Sequence, residues 1–412
     1  MWAKPWKMGE GVAICVALVV VGIMFQLTIG PVDWNVFAFP ANSITILVFL
    51  LLSIVIYALN EKVYFFKYLH SLYAAIPSLL FCVGATVVMG LTRQVPSGAE
   101  DSAGLFGFRY MLSSWPFVLL YVFMPLILAQ AVIFELLNWS NRRIPVLIFH
   151  LGFLCVLMFG TLGSADMVRG KVQVGMDTPE WRATDDGGSV MELPLAFQLV
   201  DFDIEEYRPK LAQAGANSGR FLPEGKPVTI MLDEDFTSGE IGGWTVEMEK
   251  YLDLAAPRRI DSLTRVWEAW NEDGAATAAF LKATKNGVSR EGWVSAGSYL
   301  FDPEYLPLDD SVTLVMPDRD PQKYVAKVQV LTESGKNDVA EISVNHPYQV
   351  DGWQVYLLDF DTAMGKWSRT CVLDVVRDPW LSSVYLGIGM MLLGAVIFLF
   401  QRPKKEKEED EI

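Results

Sequence analysis

His150 lies inside a stretch of hydrocarbon-like residues, I-P-V-L-I-F-H-L-G-F-L-C-V-L-M-F-G-T-L-G over 144–163. An ionisable side chain at membrane depth is costly, so it calls for a partner or a task. From the residue alone two readings stay open. In one, His150 hydrogen-bonds a neighbouring helix and serves packing. In the other its imidazole is a metal ligand, and haem iron is one metal that imidazole takes. The residue sits about 9 Å into the run from Ile144, at ~1.5 Å per residue. One imidazole fills one axial position of a haem. No second histidine lies at matching depth, so the other ligand would come from another chain. Arg142 and Arg143 stand at the same end of the run. Guanidinium suits carboxylates, which makes them candidates for contacts to haem propionates. Two arginines flanking a membrane helix are equally an ordinary inside anchor.

Little else in the chain has the spacing of a reactive site. The other histidines are His70, beside the third apolar run, and His346, in V-N-H-P-Y between two expected strands. A turn histidine bonded to the backbone is the plain reading of His346. No P-loop, nucleophile elbow, H-E-x-x-H or dinucleotide fingerprint occurs. Cys15, Cys82, Cys155 and Cys371 share no C-x-x-C spacing, so neither a redox motif nor a haem-attachment motif is expected, nor a disulfide framework. The net charge of −15 argues against nucleic acid as a partner.

The elements that must position His150 follow from hydropathy. With 52% hydrophobic residues among 412, the chain is too apolar for an ordinary soluble protein. Six runs are long enough to cross a ~30 Å hydrocarbon core as helices: 11–30, 42–60, 72–93, 116–138, 145–163 and 380–401. None alternates with period two, which speaks against a membrane β-barrel. The first run follows Lys4 and Lys7 but ends without a small-x-small cleavage site, so it reads as a retained anchor. Pro125 predicts a kink in the fourth run. Ser383, Gly387 and Gly394 recur at helical spacing in the last run and predict close helix packing.

Basic residues alternate between connections: Lys4 and Lys7, Lys62 and Lys67, Arg142 and Arg143, then Arg402, Lys404, Lys405 and Lys407. This predicts both termini inside and 164–378 outside. That outer segment reads as strands over 189–207, 226–233, 242–252, 324–331, 340–344, 353–360 and 369–376, separated by turn signals. Antiparallel sandwich or barrel-like packing is expected. The stretch 210–222 reads as a flexible loop and 402–412 as a charged cytoplasmic tail. The expected fold is thus a polytopic α-helical membrane protein of six spanning helices, with a large extracytoplasmic β-rich domain inserted before the last. Its parts are a hairpin at 1–60, a helical group at 61–163, the β-domain at 164–378, the last helix at 379–401 and the tail.

Five stretches resemble the ResB/CcsB family of cytochrome c biogenesis proteins: S-L-Y-A-A-I-P-S-L-L (71–80), F-H-L-G-F-L-C-V-L-M-F-G (149–160), E-L-P-L-A-F-Q-L-V-D-F-D-I-E-E-Y (192–207), V-N-H-P-Y-Q-V-D-G-W-Q-V-Y (344–356) and R-D-P-W-L-S-S-V-Y-L-G-I-G-M-M-L-L-G (377–394). They occur in family order. The resemblance implies a system II pathway in the cytoplasmic membrane that brings haem to apocytochrome c on the periplasmic face. It implies that His150 is an axial ligand of haem iron, shared with a tryptophan-rich CcsA/ResC-like membrane partner. Two features depart from the family plan. The hairpin 11–60 is extra, and no W-G-x-x-W-x-W-D segment occurs among the thirteen tryptophans. The resemblance therefore implies an accessory subunit of a haem lyase complex, with no ligation activity of its own. The competing reading is a membrane-tethered sensor whose outer β-domain recognises an extracellular partner without haem. A transporter fits less well, since broken polar helices are wanting.

Overall fold

The computed structural model describes residues 2, 4–95, 107–140, 142–260 and 265–401; the expected charged tail at 402–412 lies outside them. The chain divides into a helical unit, Met1–Val168 with Asp378–Ile412, and a β-rich unit, Arg169–Arg377.

In the helical unit the helices are α1 (Met8–Thr28), α2 (Ala41–Ala58), α3 (Tyr64–Tyr68), α4 (Leu72–Leu91), α5 (Trp115–Leu137), α6 (Ile144–Leu162) and α7 (Leu381–Phe400). All but the short α3 are long and apolar enough to cross a membrane. The six expected runs are thus six helices, with ends that move by a few residues. Pro116 and Pro145 open α5 and α6 where a backbone N–H has no intrahelical partner to lose. Helix α5 continues through Pro125 and packs against α1, α2, α4 and α6.

The α6–α7 pair is held by small residues, with Gly387 and Gly394 seven apart on α7. A Cβ on Gly152 would lie 2.5 Å from the Gly387 carbonyl oxygen, and one on Gly394 would lie 2.6 Å from that of Pro145. Backbones this close need glycine, and the heptad repeat keeps the seam facing its partner along both helices. At the other end of α6, the Asp166 carboxylate accepts bonds from Phe39 N (2.6 Å), Asn42 Nδ2 (2.7 Å) and Trp380 Nε1 (2.6 Å). It thereby joins the starts of α2 and α7.

The β-rich unit contains an eight-stranded sheet, β15 (Asn337–Ser343), β14 (Pro321–Thr332), β3 (Val190–Glu206), β2 (Glu180–Thr184), β1 (Val168–Gly175), β18 (Thr370–Arg377), β17 (Trp353–Phe360) and β16 (Tyr348–Val350), in that order. Its two edges meet: Ser343 bridges His346, and Lys336 Nζ reaches Asp351 at 2.7 Å. The sheet therefore curls towards a barrel around Phe197, Leu199, Val328, Ile342, Val355 and Leu373. In β3, alternation carries Leu193, Leu195, Phe197 and Leu199 inwards, and the register then slips opposite Lys327 and Val328. That bulge returns Phe202 to the core, which strict period two would not allow. Asp351 and Gly352 both take positive φ in the two-residue β16–β17 hairpin, as a type I′ turn requires.

Two smaller sheets complete the unit. One orders β11 (Val288–Ser295), β10 (Ala276–Lys285), β8 (Trp244–Arg259) and β7 (Ser238–Ile241), with β9 (Arg265–Ala269) on β8. The other orders β12 (Leu306–Pro307), β13 (Val312–Val315), β4 (Lys210–Gly215) and β5 (Phe221–Leu222), with β6 (Thr229–Met231) on β4. The expected loop at 210–222 is corrected here. Leu211, Ala212, Gln213 and Ala214 are buried in β4, paired to β13 and β6, and Gln213 Nε2 donates to the Ile241 carbonyl. Small residues of low strand propensity are carried into a strand by pairing on both sides.

Candidate functional site

His150 occupies the second turn of α6. Its Nδ1 lies 2.9 Å from Oε1 of Glu135, in the last turn of α5. The glutamate side chain is 11% exposed and the imidazole 30%. Where the glutamate is an anion it can only accept, and the ring proton then stands on Nδ1 with the lone pair on Nε2. This arrangement is the one seen behind metal-bound histidines, where a carboxylate on one nitrogen orients the other. The second glutamate oxygen, Oε2, is buried with no hydrogen-bond partner.

Hydropathy alone passes over Glu135. It sits inside the run 116–138, and a carboxylate in such a run carries the same signal that singles out His150. The two runs taken together contain both members of the pair.

The arginines are placed differently. Arg143 caps α6, donates to the Asn138 carbonyl (3.3 Å) and lies over the Phe134 ring at 5.1 Å. It therefore braces the α5–α6 turn. Arg142 is exposed beside it. His150 makes its polar contact with Glu135 and with neither arginine.

His70 precedes α4 and packs its ring on Tyr57 at 5.0 Å. Burial pushes its pKa down, while the nearby Gln130 amide pulls the other way from outside good hydrogen-bond geometry. Gln130 and Glu135 are five residues apart on α5, so they point roughly 140° apart around a helix of 3.6 residues per turn. Gln130 donates Nε2 to the Ser53 carbonyl at 3.2 Å, whereas Glu135 bonds His150. His346 is an exposed turn residue whose Nδ1 lies 3.4 Å from the Val344 carbonyl oxygen, beside Asn345 at φ +65°. Among the described residues no three His, Cys, Asp or Glu side chains converge as a metal cage. Among the described residues, the imidazole held by a carboxylate is that of His150.

Known proteins share features with this chain. Residues 301–372, in the β-rich unit, match the model of the ResB-like family. Of the five resembling stretches, 344–356 falls within that match. No curated protein matches the chain in sequence. A solved structure of a cytochrome c haem lyase, CcmF, is similar at 11% identity and a TM-score of 0.25. That likeness covers 84% of this chain and 41% of the lyase chain, so the present chain spans about two fifths of its length. A likeness at that score supports no conclusion about fold or activity. Over residues 301–372 of its β-rich unit, the chain is similar to the ResB-like family.

Proposed function

We propose that this chain is a membrane subunit of cytochrome c biogenesis, acting in a system II complex that holds haem within the membrane and helps deliver it to apocytochrome c. The observation that carries this reading is the His150–Glu135 pair. An imidazole in an apolar helix has Nδ1 engaged at 2.9 Å and a ring partly open at the helix surface. The single imidazole would supply one ligand to haem iron, and a second chain would supply any other. A tryptophan-rich CcsA/ResC-like protein is the partner of suitable chemistry.

Haem bound there supplies the iron and vinyl groups for thioether formation on the apocytochrome. His150 would hold its iron. Arg142, exposed at the α5–α6 turn, is available to a propionate; Arg143 is already engaged and contributes mainly by fixing the turn. The β-rich unit carries no acid–base constellation among the described residues, and its role is to brace the partner or present the apocytochrome rather than to catalyse. The reading places both termini on the cytoplasmic side and 164–378 outside, with the domain divisions expected from the sequence. Reporter fusions after residues 36, 66 and 270 should read out, in and out; a cytoplasmic signal at 270 would end the haem-delivery reading.

The decisive test is the haem spectrum of the complex purified with its partner. His150→Ala should lower haem content or shift the spectrum away from a two-histidine form, and added imidazole should restore it by refilling the vacant position. An unchanged spectrum with normal haem content would remove His150 from the iron.

A further inference from the structure

We propose that Glu135 is a positioning residue for His150: its carboxylate takes the Nδ1 proton, fixes the ring in one tautomer and one rotation, and so keeps Nε2 unprotonated and facing the open side of α6. This rests on the reading of His150 as a ligand, and its test is built to fail separately from that reading.

The geometry that carries it is specific. Glu135 Oε1 and His150 Nδ1 are 2.9 Å apart across two helices joined by a short turn, and that turn is itself fixed by Arg143 on Asn138 and Phe134. The carboxylate is far more buried than the ring it holds, so it has little freedom to follow a ring that rotates. Glu135 Oε2 has no partner of its own, so the carboxylate is not shared with a competing donor among the described residues. Two proton arrangements suit the contact. With the proton on Nδ1, the glutamate is an anion and Nε2 is a lone pair. With the proton on the carboxyl group, Nδ1 is the acceptor and Nε2 carries the hydrogen, which would make it useless as a ligand. The first arrangement is the one a metal-bound histidine needs. The contact also adds negative charge behind the ring, which makes Nε2 a stronger donor to oxidised iron. The family resemblance concerns the histidine and is silent on its carboxylate.

The experiment uses the full chain in lipid nanodiscs, without haem, at alkaline pH. Nitrogen chemical shifts of labelled histidine, assigned by loss of the signal in His150→Gln, report the tautomer. Wild type is expected to show Nδ1 protonated and Nε2 bare. Glu135→Gln keeps an acceptor oxygen of nearly the same shape, so the tautomer should persist. Glu135→Leu removes the acceptor, and the population should move towards Nε2–H. In the complex with the partner, Glu135→Leu should weaken haem retention about 10-fold to 100-fold, as loss of such an outer carboxylate does elsewhere. Glu135→Gln should do so less, and it should raise the haem midpoint potential because the negative charge is gone. A wild-type ring already protonated on Nε2, or a tautomer indifferent to Glu135→Leu in a folded chain, would overturn the positioning role whatever haem does. If His150→Ala leaves haem unchanged while Glu135→Leu still shifts the tautomer, the ligand reading fails and the positioning geometry stands.

Discussion

The two units place their large apolar side chains differently. In the β-rich unit the fully buried large side chains are apolar: Trp267, Phe197, Leu211, Leu281, Ile342 and Leu373. Both units bury some polar side chains, Gln130 and Glu135 in the helical unit and Gln213 and Ser295 in the β-rich unit, but the only buried residues of α7 are Gly387 and Gly394. Large apolar side chains there face outwards, as Leu392, Leu393, Leu399 and Phe400 do. The contrast follows from the solvent. In water, burying apolar surface drives packing at roughly 25 cal/mol per Å². In lipid a leucine gains nothing by hiding, so helices associate through close backbone approach and shared polar groups. A polar pair inside the helical unit therefore needs a reason, whereas an ion pair on the β-rich unit mostly does not.

The largest effect that separates the two modes should come from the α6–α7 seam. Gly152→Leu and Gly387→Leu put a side chain where a Cβ already falls 2.5 Å and 2.8 Å from the partner's backbone oxygen. Forced separation of the helices should cost about 1–3 kcal/mol or more, read as lower thermal stability in detergent and lower protein level. Gly160→Leu and Gly389→Leu, which face open space, should be nearly silent. If Gly389→Leu proved as damaging as Gly387→Leu, the seam would not be what holds this helix.

A middle-sized effect is expected at Arg169–Asp374, where Nε and the guanidinium Nη2 reach the two carboxylate oxygens at 2.9 and 2.7 Å. Asp374 is 9% exposed and Arg169 47%. Asp374→Ala should cost about 1–3 kcal/mol by stranding half-buried donors, followed by circular dichroism of the strand signal on heating. Lys327→Ala breaks a pair exposed on both sides, Lys327–Asp201, and should stay within about 0.5 kcal/mol. Equal losses in the two variants would mean that burial does not govern these pairs.

The smallest effect should come from pH. Arg182, bonded through its side chain to Glu180, holds that carboxyl down at about 2. A depressed folded pKa contributes stability that is complete above the ordinary value of 4.5 and is lost as pH falls through about 2. Unfolding curves of wild type and Arg182→Gln should therefore converge in strong acid and separate above the ordinary glutamate range. Salt should narrow the gap, because Arg182 is well exposed. Curves that separate only in acid would reverse the assigned sign.

How much of the fold is legible in the sequence depends on which signal each region carries. The six apolar runs stand out because a membrane span is a matter of length and composition, and each is a helix. Strand 353–360 is legible to its ends because aromatic and β-branched residues lie between an Asp-Gly turn and an Asp-Thr break. The alanine-rich strand β10, A-T-A-A-F-L-K-A-T-K, escapes sequence reading, since alanine has no strand preference and the pairing with β8 and β11 supplies what the sequence lacks. At the site, His150 is legible as a lone polar residue in an apolar run. Its contact with Glu135 is not, because the two residues belong to different helices and only the packing of α5 on α6 brings them together.

The glycine seam also has a consequence in time. Gly152 on α6 is made early, while its counterpart Gly387 waits for the whole β-rich insert to be synthesised. At about 5–20 residues per second, the 234 intervening residues take on the order of 10–50 s. For that interval the notched face of α6 is in the membrane without the helix it was shaped to receive. A substitution at Gly152 would therefore act on assembly as well as on the finished fold. Supplying α7 as a separate peptide during synthesis is one way to ask whether the notch can be filled out of turn.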